Sequence, residues 1–264
     1  LMKKPVERPT GKNFVPLPDI KGRIEFRDVL FHYPGQAVPA LNKVSFSVEP
    51  GERVSVIGAV GSGKTTIERL LLNLYEPDSG SVQIDGTDVR QIDPGDLRRN
   101  IGTVQQSPQL FYGSVRQNIT MGHEMAPAAA ILRAAELAGV MEFLRDSSAG
   151  LDTPVGERGE ALSAGQRQSV AVARSLLYDP PILVMDEPTA AMDPASEMRL
   201  KKRLEILCEG KTTIIITHKG SMLSLVDKLI LMDRGKIVAY GPRDAIIEKL
   251  QKRQFGTAAE NTKD

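Results

Sequence analysis

Residues 58–65 read GAVGSGKT, and this stretch decides the fold. It fits the pattern of a glycine, four residues and then Gly-Lys-Ser/Thr, which is typical of a phosphate-holding turn. The apolar run Arg53–Ile57 predicts a strand directly before it. The segment Lys64–Leu74 predicts a helix directly after it, because apolar residues recur at helical spacing: Ile67, Leu70, Leu71 and Leu74. A strand, a glycine-rich turn and a helix in this order predict a loop that binds phosphate.

The residue types in this loop suit a nucleotide triphosphate. Glycines allow the backbone to turn with its N–H groups inward, and the start of a helix adds partial positive charge. Lys64 would reach the β- and γ-phosphates, and the Thr65 hydroxyl would bind Mg²⁺. We therefore expect ATP and Mg²⁺ as ligands. The predicted binding residues of the loop are Gly58, Gly61, Ser62, Gly63, Lys64, Thr65 and Thr66. The alternative is a glycine-rich turn that happens to hold a lysine.

Two adjacent acids end a second apolar run, Ile182–Met185. Successive side chains of a strand point to opposite faces, so Asp186 and Glu187 are expected to do different work. Ligands of parallel sheets gather beyond the carboxyl ends of the strands, where these acids fall. Asp186 would hold Mg²⁺ and Glu187 would polarise the attacking water. The alternative is a strand-end turn whose acids face solvent.

Composition limits the other classes of function. The 264 residues are 41% hydrophobic and 25% charged, which is ordinary for a globular chain, and the net charge of +1 gives no indication of nucleic-acid binding. The single cysteine, Cys208, excludes an internal disulfide and fits a reducing compartment. No apolar run is long enough to span a bilayer, so we expect a soluble domain.

The chain is expected to divide into a proline-rich linker over residues 1–20, one domain over 21–254 and a polar tail over 255–264. Strands and helices alternate within the domain, and the continuous apolar runs Ile182–Met185 and Ile214–Ile216 indicate an α/β fold with buried parallel strands. A helical subdomain is predicted at about 107–178, almost wholly helical from Ser114 to Tyr178.

Residues 162–166 read LSAGQ, twenty residues before Ile182. Together with the phosphate loop and the acidic strand, this segment resembles the signature motif of ATP-binding cassette (ABC) proteins. The resemblance extends from about Gly22 to Leu250, with every expected motif in order. It implies an α/β fold with a P-loop NTPase core, a mostly parallel sheet, an antiparallel β subdomain and the inserted helical subdomain. It also implies ATPase activity.

The resemblance assigns roles to further residues. Tyr33 resembles the aromatic residue that stacks on adenine, although a core tyrosine is the alternative. Gln106 resembles the glutamine that reaches Mg²⁺ and the attacking water, and its neighbour Gln105 leaves that assignment ambiguous by one residue. His218 resembles the histidine that contacts the γ-phosphate and orients Glu187. The implied catalytic residues are thus Glu187, His218 and Gln106, and the implied metal ligands are Thr65, Gln106 and Asp186.

The signature segment implies a second copy of the chain. Ser163 can cap the helix that follows, which leaves a positive helix end exposed. In the family this end, with Gly165 and Gln166, meets the γ-phosphate bound by the other subunit, and Asp193 resembles the residue that communicates across the dimer. The usual glycine at the third motif position is Ala164 here. Alanine would be strained if that position needs a positive φ and harmless if it is helical, which we favour.

Three features resemble exporters of this family. Residues 153–159 (TPVGERG) resemble the loop that touches the membrane domain, the proline-rich start resembles a linker from such a domain, and residues 96–119 are similar to bacterial type I secretion and peptide exporters. The implied function is to power protein or peptide secretion at the cytoplasmic face of the bacterial inner membrane. The implied partners are a transmembrane domain, a periplasmic adaptor and an outer-membrane channel, with no nucleic acid. A lipid or drug exporter and a non-transport ABC ATPase are the alternatives.

Overall fold

The computed structural model describes residues 11, 13–17, 19–123, 125–190 and 192–260, without the side chains of 252–260. Its strands are β1 (Ile24–Phe31), β2 (Leu41–Val48), β3 (Arg53–Gly58), β4 (Ser79–Ile84), β5 (Thr87–Asp88), β6 (Ile101–Val104), β7 (Ile182–Asp186), β8 (Thr212–Ile216), β9 (Lys228–Asp233) and β10 (Lys236–Pro242). Its helices are α1 (Lys64–Leu71), α2 (Pro94–Arg99), α3 (Val115–Ile119), α4 (Ala128–Leu137), α5 (Val140–Phe143), α6 (Ala164–Leu176), α7 (Pro194–Leu207) and α8 (Arg243–Glu260).

The strands of the described residues form two sheets. The first is antiparallel in the order β2-β1-β4-β5. The second has the order β10-β9-β3-β8-β7-β6, and all of its neighbours are parallel except the β9–β10 pair. This arrangement confirms the predicted α/β class, with a mostly parallel sheet and an antiparallel β subdomain.

The parallel sheet separates two hydrophobic cores. Along β7, Ile182 and Val184 face the core shared with the first sheet and α1, whereas Leu183 and Met185 face the core shared with α3–α7. The alternation follows from the two-residue period of a strand. All five residues of β7 are buried, as expected of a parallel strand covered on both faces. The loops after β3, β6, β7 and β8 therefore lie at one edge, the carboxyl edge of the sheet.

The segment from Ser114 to Tyr178 is not almost wholly helical, so that prediction was wrong. Helices α3 to α6 lie within it, but a long stretch between α5 and α6 contains only the short 3₁₀ turns Gly150–Asp152 and Glu157–Gly159. Glycines with positive φ interrupt this stretch, and Pro154 pairs with Ser114 in an isolated bridge. Backbone pairing with a distant segment replaces the local helical bonds here.

The two chain ends also differ from expectation. Residues 1–10, 12 and 18 of the predicted linker lie outside the described residues, but Val15 pairs with Ile92 and Leu17 packs on the core. Helix α8 runs to Glu260, into the range predicted as a polar tail. Residues 261–264 of that tail lie outside the described residues as well.

Helix α1 is shorter than the periodic pattern predicted. It ends at Leu71, Asn73 has a positive φ, and Leu74 is 51% exposed rather than part of the core. Among the described helices, none has the length and apolar character needed to cross a bilayer.

Candidate functional site

The phosphate loop joins β3 to α1 and depends on two glycines. Gly58 and Gly63 have φ values of 155° and 99°, in the region that favours glycine. A Cβ at Gly58 would come within 2.3 Å of the Met232 carbonyl oxygen, and one at Gly63 within 2.4 Å of the Ala40 carbonyl oxygen. Both positions therefore exclude any side chain.

Two other segments enclose this loop. The Gly235 carbonyl accepts a hydrogen bond from the Asn42 N–H at 2.8 Å, and the Gly235 N–H donates to the Ser62 carbonyl at 3.1 Å. The start of β2, the phosphate loop and the β9–β10 turn are thus joined through their backbones. The loop is held in shape by partners far away in sequence.

Lys64 and Ser62 present polar groups within the loop. The Lys64 Nζ donates to the carbonyl oxygens of Gly58 and Ala59, both at 2.9 Å. The buried Ser62 hydroxyl has no hydrogen-bond partner among the described residues. An orphaned hydroxyl, a mobile ammonium and a backbone cradle that a Cβ would fill suit a bound phosphate chain.

Thr65 and Asp186 meet at the start of α1. The Thr65 hydroxyl donates to Asp186 Oδ2 at 2.7 Å, and Asp186 is 8% exposed. Burial raises the pKa of Asp186, against the lowering effect of the hydrogen bond from Thr65. Among the described residues, no group of three or more His, Cys, Asp or Glu could hold a metal ion alone. A hydroxyl and one carboxylate suit Mg²⁺, which takes its other ligands from water and substrate phosphates.

Gln106 lines the same cleft as Thr65 and Asp186. Gln105 does not line it, and its carbonyl accepts from the Gln168 side chain at 3.4 Å. Of the two glutamines, only Gln106 lines the cleft, which favours it as the residue that the sequence left ambiguous.

Glu187 lies directly beyond β7 with a φ of 46°, unusual for a residue other than glycine. It is 7% exposed and accepts from three groups. The His218 N–H lies 3.1 Å and its ring Nδ1 2.6 Å from Glu187 Oε1, while the Thr217 hydroxyl donates to Oε2 at 3.2 Å. These contacts join the Glu187 carboxylate to the loop after β8.

Of the predicted loop residues, Gly61, Gly63, Lys64, Thr65 and Thr66 line one cleft of about 580 Å³, whereas Gly58 and Ser62 do not line it. It is lined by the β1–β2 loop, the phosphate loop, the acidic pair and the loops after β6 and β8: Tyr33, Gln36, Val38, Pro39, Ala40, Val60, Gly61, Gly63, Lys64, Thr65, Thr66, Gln106, Asp186, Glu187 and His218. Sequence reasoning missed Val38 and Val60, which are 77% and 101% exposed. Isolated valines in loops carry no pattern that marks them.

Tyr33 lies at the edge of this cleft and is half-buried. Its hydroxyl lies 3.1 Å from the Thr66 hydroxyl and accepts from Arg69 at 2.9 Å. Its ring packs edge-on against Phe31 and Tyr75, with centroids 4.9 Å and 5.3 Å away. Tyr33 therefore packs on the core aromatic residues on one side and lines the cleft on the other.

The predicted residues of the signature segment, Ser163, Gly165 and Gln166, lie outside this cleft. Ser163 caps α6 by accepting from the Gln166 N–H at 3.2 Å, and the Gln166 side chain accepts from the Ser163 N–H at 2.8 Å. This confirms the predicted cap. Ser163, Gly165 and Gln166 line a separate cleft of about 200 Å³, which shares no lining residue with the first.

Ala164 is the first residue of α6 and is not among the residues with positive φ. The helical alternative for this position therefore holds, and its alanine adds no backbone strain. Asp193 caps α7, accepting from the N–H groups of Ala195 and Ser196 at 3.0 Å each, and lines neither cleft.

Glu68 is a buried acid that sequence reasoning missed. It is 4% exposed on α1. Burial raises its pKa to about 7, and the charge of Asp186 adds to the shift. No pattern marked it, because α1 is buried on more than one face: Thr66, Ile67, Glu68, Leu70 and Leu71.

We expect Glu68→Gln to stabilise the chain at alkaline pH. The folded pKa of about 7 lies above the ordinary value of about 4.5 for a glutamate, so the wild type loses stability as pH rises between these values. Without nucleotide or metal, the variant should gain about 3 kcal/mol in free energy of unfolding at pH 8 and much less at pH 5. Denaturant unfolding at several pH values measures this difference. The exposed Glu136→Gln serves as control, and a gain for Glu68→Gln that is equal at both pH values would contradict the expectation.

The chain is similar to known proteins over most of its length. The family model described as ABC transporter matches residues 41–190. The chain is 40% identical over 247 residues to the toxin RTX-I translocation ATP-binding protein of Actinobacillus pleuropneumoniae, covering 94% of this chain and 35% of that protein. It is 39% identical over 248 residues to the leukotoxin translocation ATP-binding protein LktB of Mannheimia haemolytica, with the same coverage. The chain thus spans 35% of the length of these curated relatives.

A solved structure is similar as well. A bacterial Atm1-family ABC exporter with ATP bound superposes with a TM-score of 0.83 at 33% sequence identity, covering 91% of this chain and 41% of that chain.

Proposed function

The chain belongs to the ABC transporter family, and on that basis we propose that it is the ATP-binding and ATP-hydrolysing motor domain of an exporter. The observation that carries the proposal is the convergence of Lys64, Thr65, Asp186, Glu187 and His218 on one cleft. A phosphate cradle, a metal-binding pair and a buried carboxylate aimed at the same space are the parts that phosphoryl transfer to water requires.

The residues divide the chemistry among them. The loop amides and Lys64 hold the phosphates and stabilise negative charge as the terminal bond breaks. Glu187 orients a water molecule and takes its proton while the water oxygen forms a bond to the γ-phosphorus and ADP leaves. His218 holds the Glu187 carboxylate in place and lies at the mouth of the cleft, 66% exposed, where a γ-phosphate can reach it.

Magnesium fits the pair formed by Thr65 and Asp186, with Gln106 alongside. When bound there, the ion would neutralise phosphate charge during the reaction. The Thr65 hydroxyl and the Asp186 carboxylate would supply its protein ligands, and the Gln106 amide would reach the ion or its water.

The active assembly is a dimer of this chain around ATP. Support comes from the two clefts of one chain, because the Ser163 helix end and the phosphate loop line different clefts that share no lining residue. In a second copy, the exposed start of α6 would face the γ-phosphate, with Gly165 and Gln166 beside it and Asp193 near the interface. Closure on ATP and opening after hydrolysis would then give a two-state motor.

The cargo we propose is protein or peptide. Support comes from the toxin translocation proteins that the chain is similar to, although the chain matches only part of their length. The motor would work at the cytoplasmic face of the bacterial inner membrane, against a transmembrane domain of the same transporter. A periplasmic adaptor and an outer-membrane channel would complete the export path.

The proposal is tested by ATP-dependent stabilisation and phosphate release. The purified chain should show a higher melting temperature with Mg-ATP and should release inorganic phosphate, because the cleft both binds and hydrolyses the nucleotide. Chelating the magnesium should stop the release. A chain with no thermal shift in Mg-ATP would overturn the proposed function.

A further inference from the structure

Lys219 joins two loops at the carboxyl edge of the parallel sheet. It follows His218 in the loop after β8, and its Nζ donates to the Thr189 carbonyl at 2.8 Å in the loop after β7. The same ammonium donates to Glu197 Oε2 on the first turn of α7 at 2.6 Å. No motif of the sequence marked either Lys219 or Glu197.

The backbone of Lys219 is linked through Thr217 to Glu187, the proposed catalytic residue. The Lys219 N–H donates to the Thr217 hydroxyl oxygen at 3.0 Å, and that hydroxyl donates to Glu187 Oε2 at 3.2 Å. The Thr189 carbonyl also closes the backbone turn that starts after Glu187, accepting from the Met192 N–H at 3.2 Å. The Lys219 ammonium therefore touches the turn that follows Glu187, and the backbone of the same residue contacts the strand end that orients Glu187.

Glu197, the ion-pair partner of Lys219, contacts Asp193, which lies near the proposed dimer interface. The Glu197 N–H donates to the Asp193 carbonyl at 2.9 Å, within the turn that Asp193 caps. The other oxygen of Glu197 accepts from the Ser221 hydroxyl, so the carboxylate is bound on both sides. The hydrogen bond from Lys219 is the largest cause that lowers the pKa of Glu197, which keeps the pair charged.

We infer that Lys219 and Glu197 are positioning residues that hold the Glu187 turn, the His218 loop and the Asp193-capped start of α7 in one arrangement. The inference rests on the proposed function. Glu187 has a φ of 46°, and such a conformation of a non-glycine residue persists only where its surroundings impose it. Lys219 supplies part of that constraint, and it does so without touching the cleft, which neither residue of the pair lines.

The experiment compares Lys219→Met with a matched control, Lys211→Met. Lys211 immediately precedes β8 and makes the same kind of contact at the opposite sheet edge, since its Nζ donates to Asp179 at 2.6 Å and to the Pro180 carbonyl at 3.0 Å. Both substitutions remove one charge, one ion pair and one bond to a backbone carbonyl. They differ in the segments that lose a contact. Lys219 contacts the turn that follows Glu187, whereas Lys211 contacts the residues that precede β7.

We expect Lys219→Met to lower the kcat of ATP hydrolysis about tenfold or more, with the KM for ATP changed by less than about twofold. Misplacing Glu187 and His218 slows the chemical step, whereas the phosphate loop still binds nucleotide. Lys211→Met should leave kcat within about twofold of wild type. The milder Glu197→Gln, which keeps the shape of the side chain, should also lower kcat. The fall in kcat that it causes should be smaller in the Lys219→Met background than in the wild-type background.

Other outcomes count against the inference. Equal kcat values for the wild type and Lys219→Met, or an equal fall for Lys211→Met, would overturn it while leaving the proposed function intact. If Lys219→Met does not fold, an unchanged kcat for Glu197→Gln would overturn it instead. A wild-type chain without ATPase activity would overturn the proposed function and this inference together.

Discussion

Glu187→Gln should stop ATP turnover while leaving ATP binding intact. The amide has nearly the same shape but cannot accept the proton of the attacking water, so we expect kcat to fall by a factor of about 100 or more. The nucleotide affinity should hold, because the phosphate loop and Lys64 lie on other segments and keep their contacts. Phosphate release and a fluorescent-nucleotide titration measure the two quantities separately.

The same variant should trap the proposed dimer. When hydrolysis is blocked, bound ATP continues to bridge the phosphate loop of one copy and the Ser163 helix end of the other. Size-exclusion chromatography with Mg-ATP should then show a dimer for the variant that the hydrolysing wild type does not accumulate. Glu209→Gln, an exposed acid after α7, provides a control with the same change of charge. Normal hydrolysis by Glu187→Gln would remove this residue from its proposed role.

Lys64→Ala should lose nucleotide affinity rather than turnover alone. The ammonium lies within the loop and is the mobile charge there that can leave the carbonyls of Gly58 and Ala59 for a phosphate. Loss of a charge-assisted contact corresponds to a dissociation constant about 10- to 100-fold higher. A titration with a fluorescent ATP analogue in the presence of magnesium measures this constant.

Lys202→Ala is the matched control for Lys64→Ala, because it removes the same charge from an exposed position on α7. The melting temperature of each variant without nucleotide separates lost binding from lost folding, since Lys64 also holds loop carbonyls. An affinity equal to that of the wild type would argue against the phosphate cradle.

Much of the fold could be predicted because its signals are local. The continuous apolar run of β7 and the glycines of the phosphate loop are each visible in a few adjacent residues, so the α/β class and the parallel sheet could be predicted directly. The segment between α5 and α6 could not be predicted in this way. Its backbone is held by distant partners, such as Ser114 with Pro154, and these leave no local pattern.

The candidate site also contains residues that local motifs predicted and residues that no local pattern marked. Lys64, Thr65 and Asp186 belong to short ordered motifs, and the structure brings them to one cleft. Glu68 and Lys219 were missed because their importance depends on which groups surround them. A glutamate on a short helix is ordinary until burial on several sides is known, and a lysine after a histidine is ordinary until Thr189 and Glu197 are found beside it.

The backbone contacts around Gly63 and Gly235 affect how this chain can recombine with its relatives. The start of β2, the phosphate loop and the β9–β10 turn fit one another without side chains to absorb a mismatch, since a Cβ at Gly63 would strike the Ala40 carbonyl at 2.4 Å. A chimaera should therefore inherit all three segments from a single parent. A chimaera that exchanges the α4–α5 region instead keeps all three segments from one parent, so we expect it to fold more reliably.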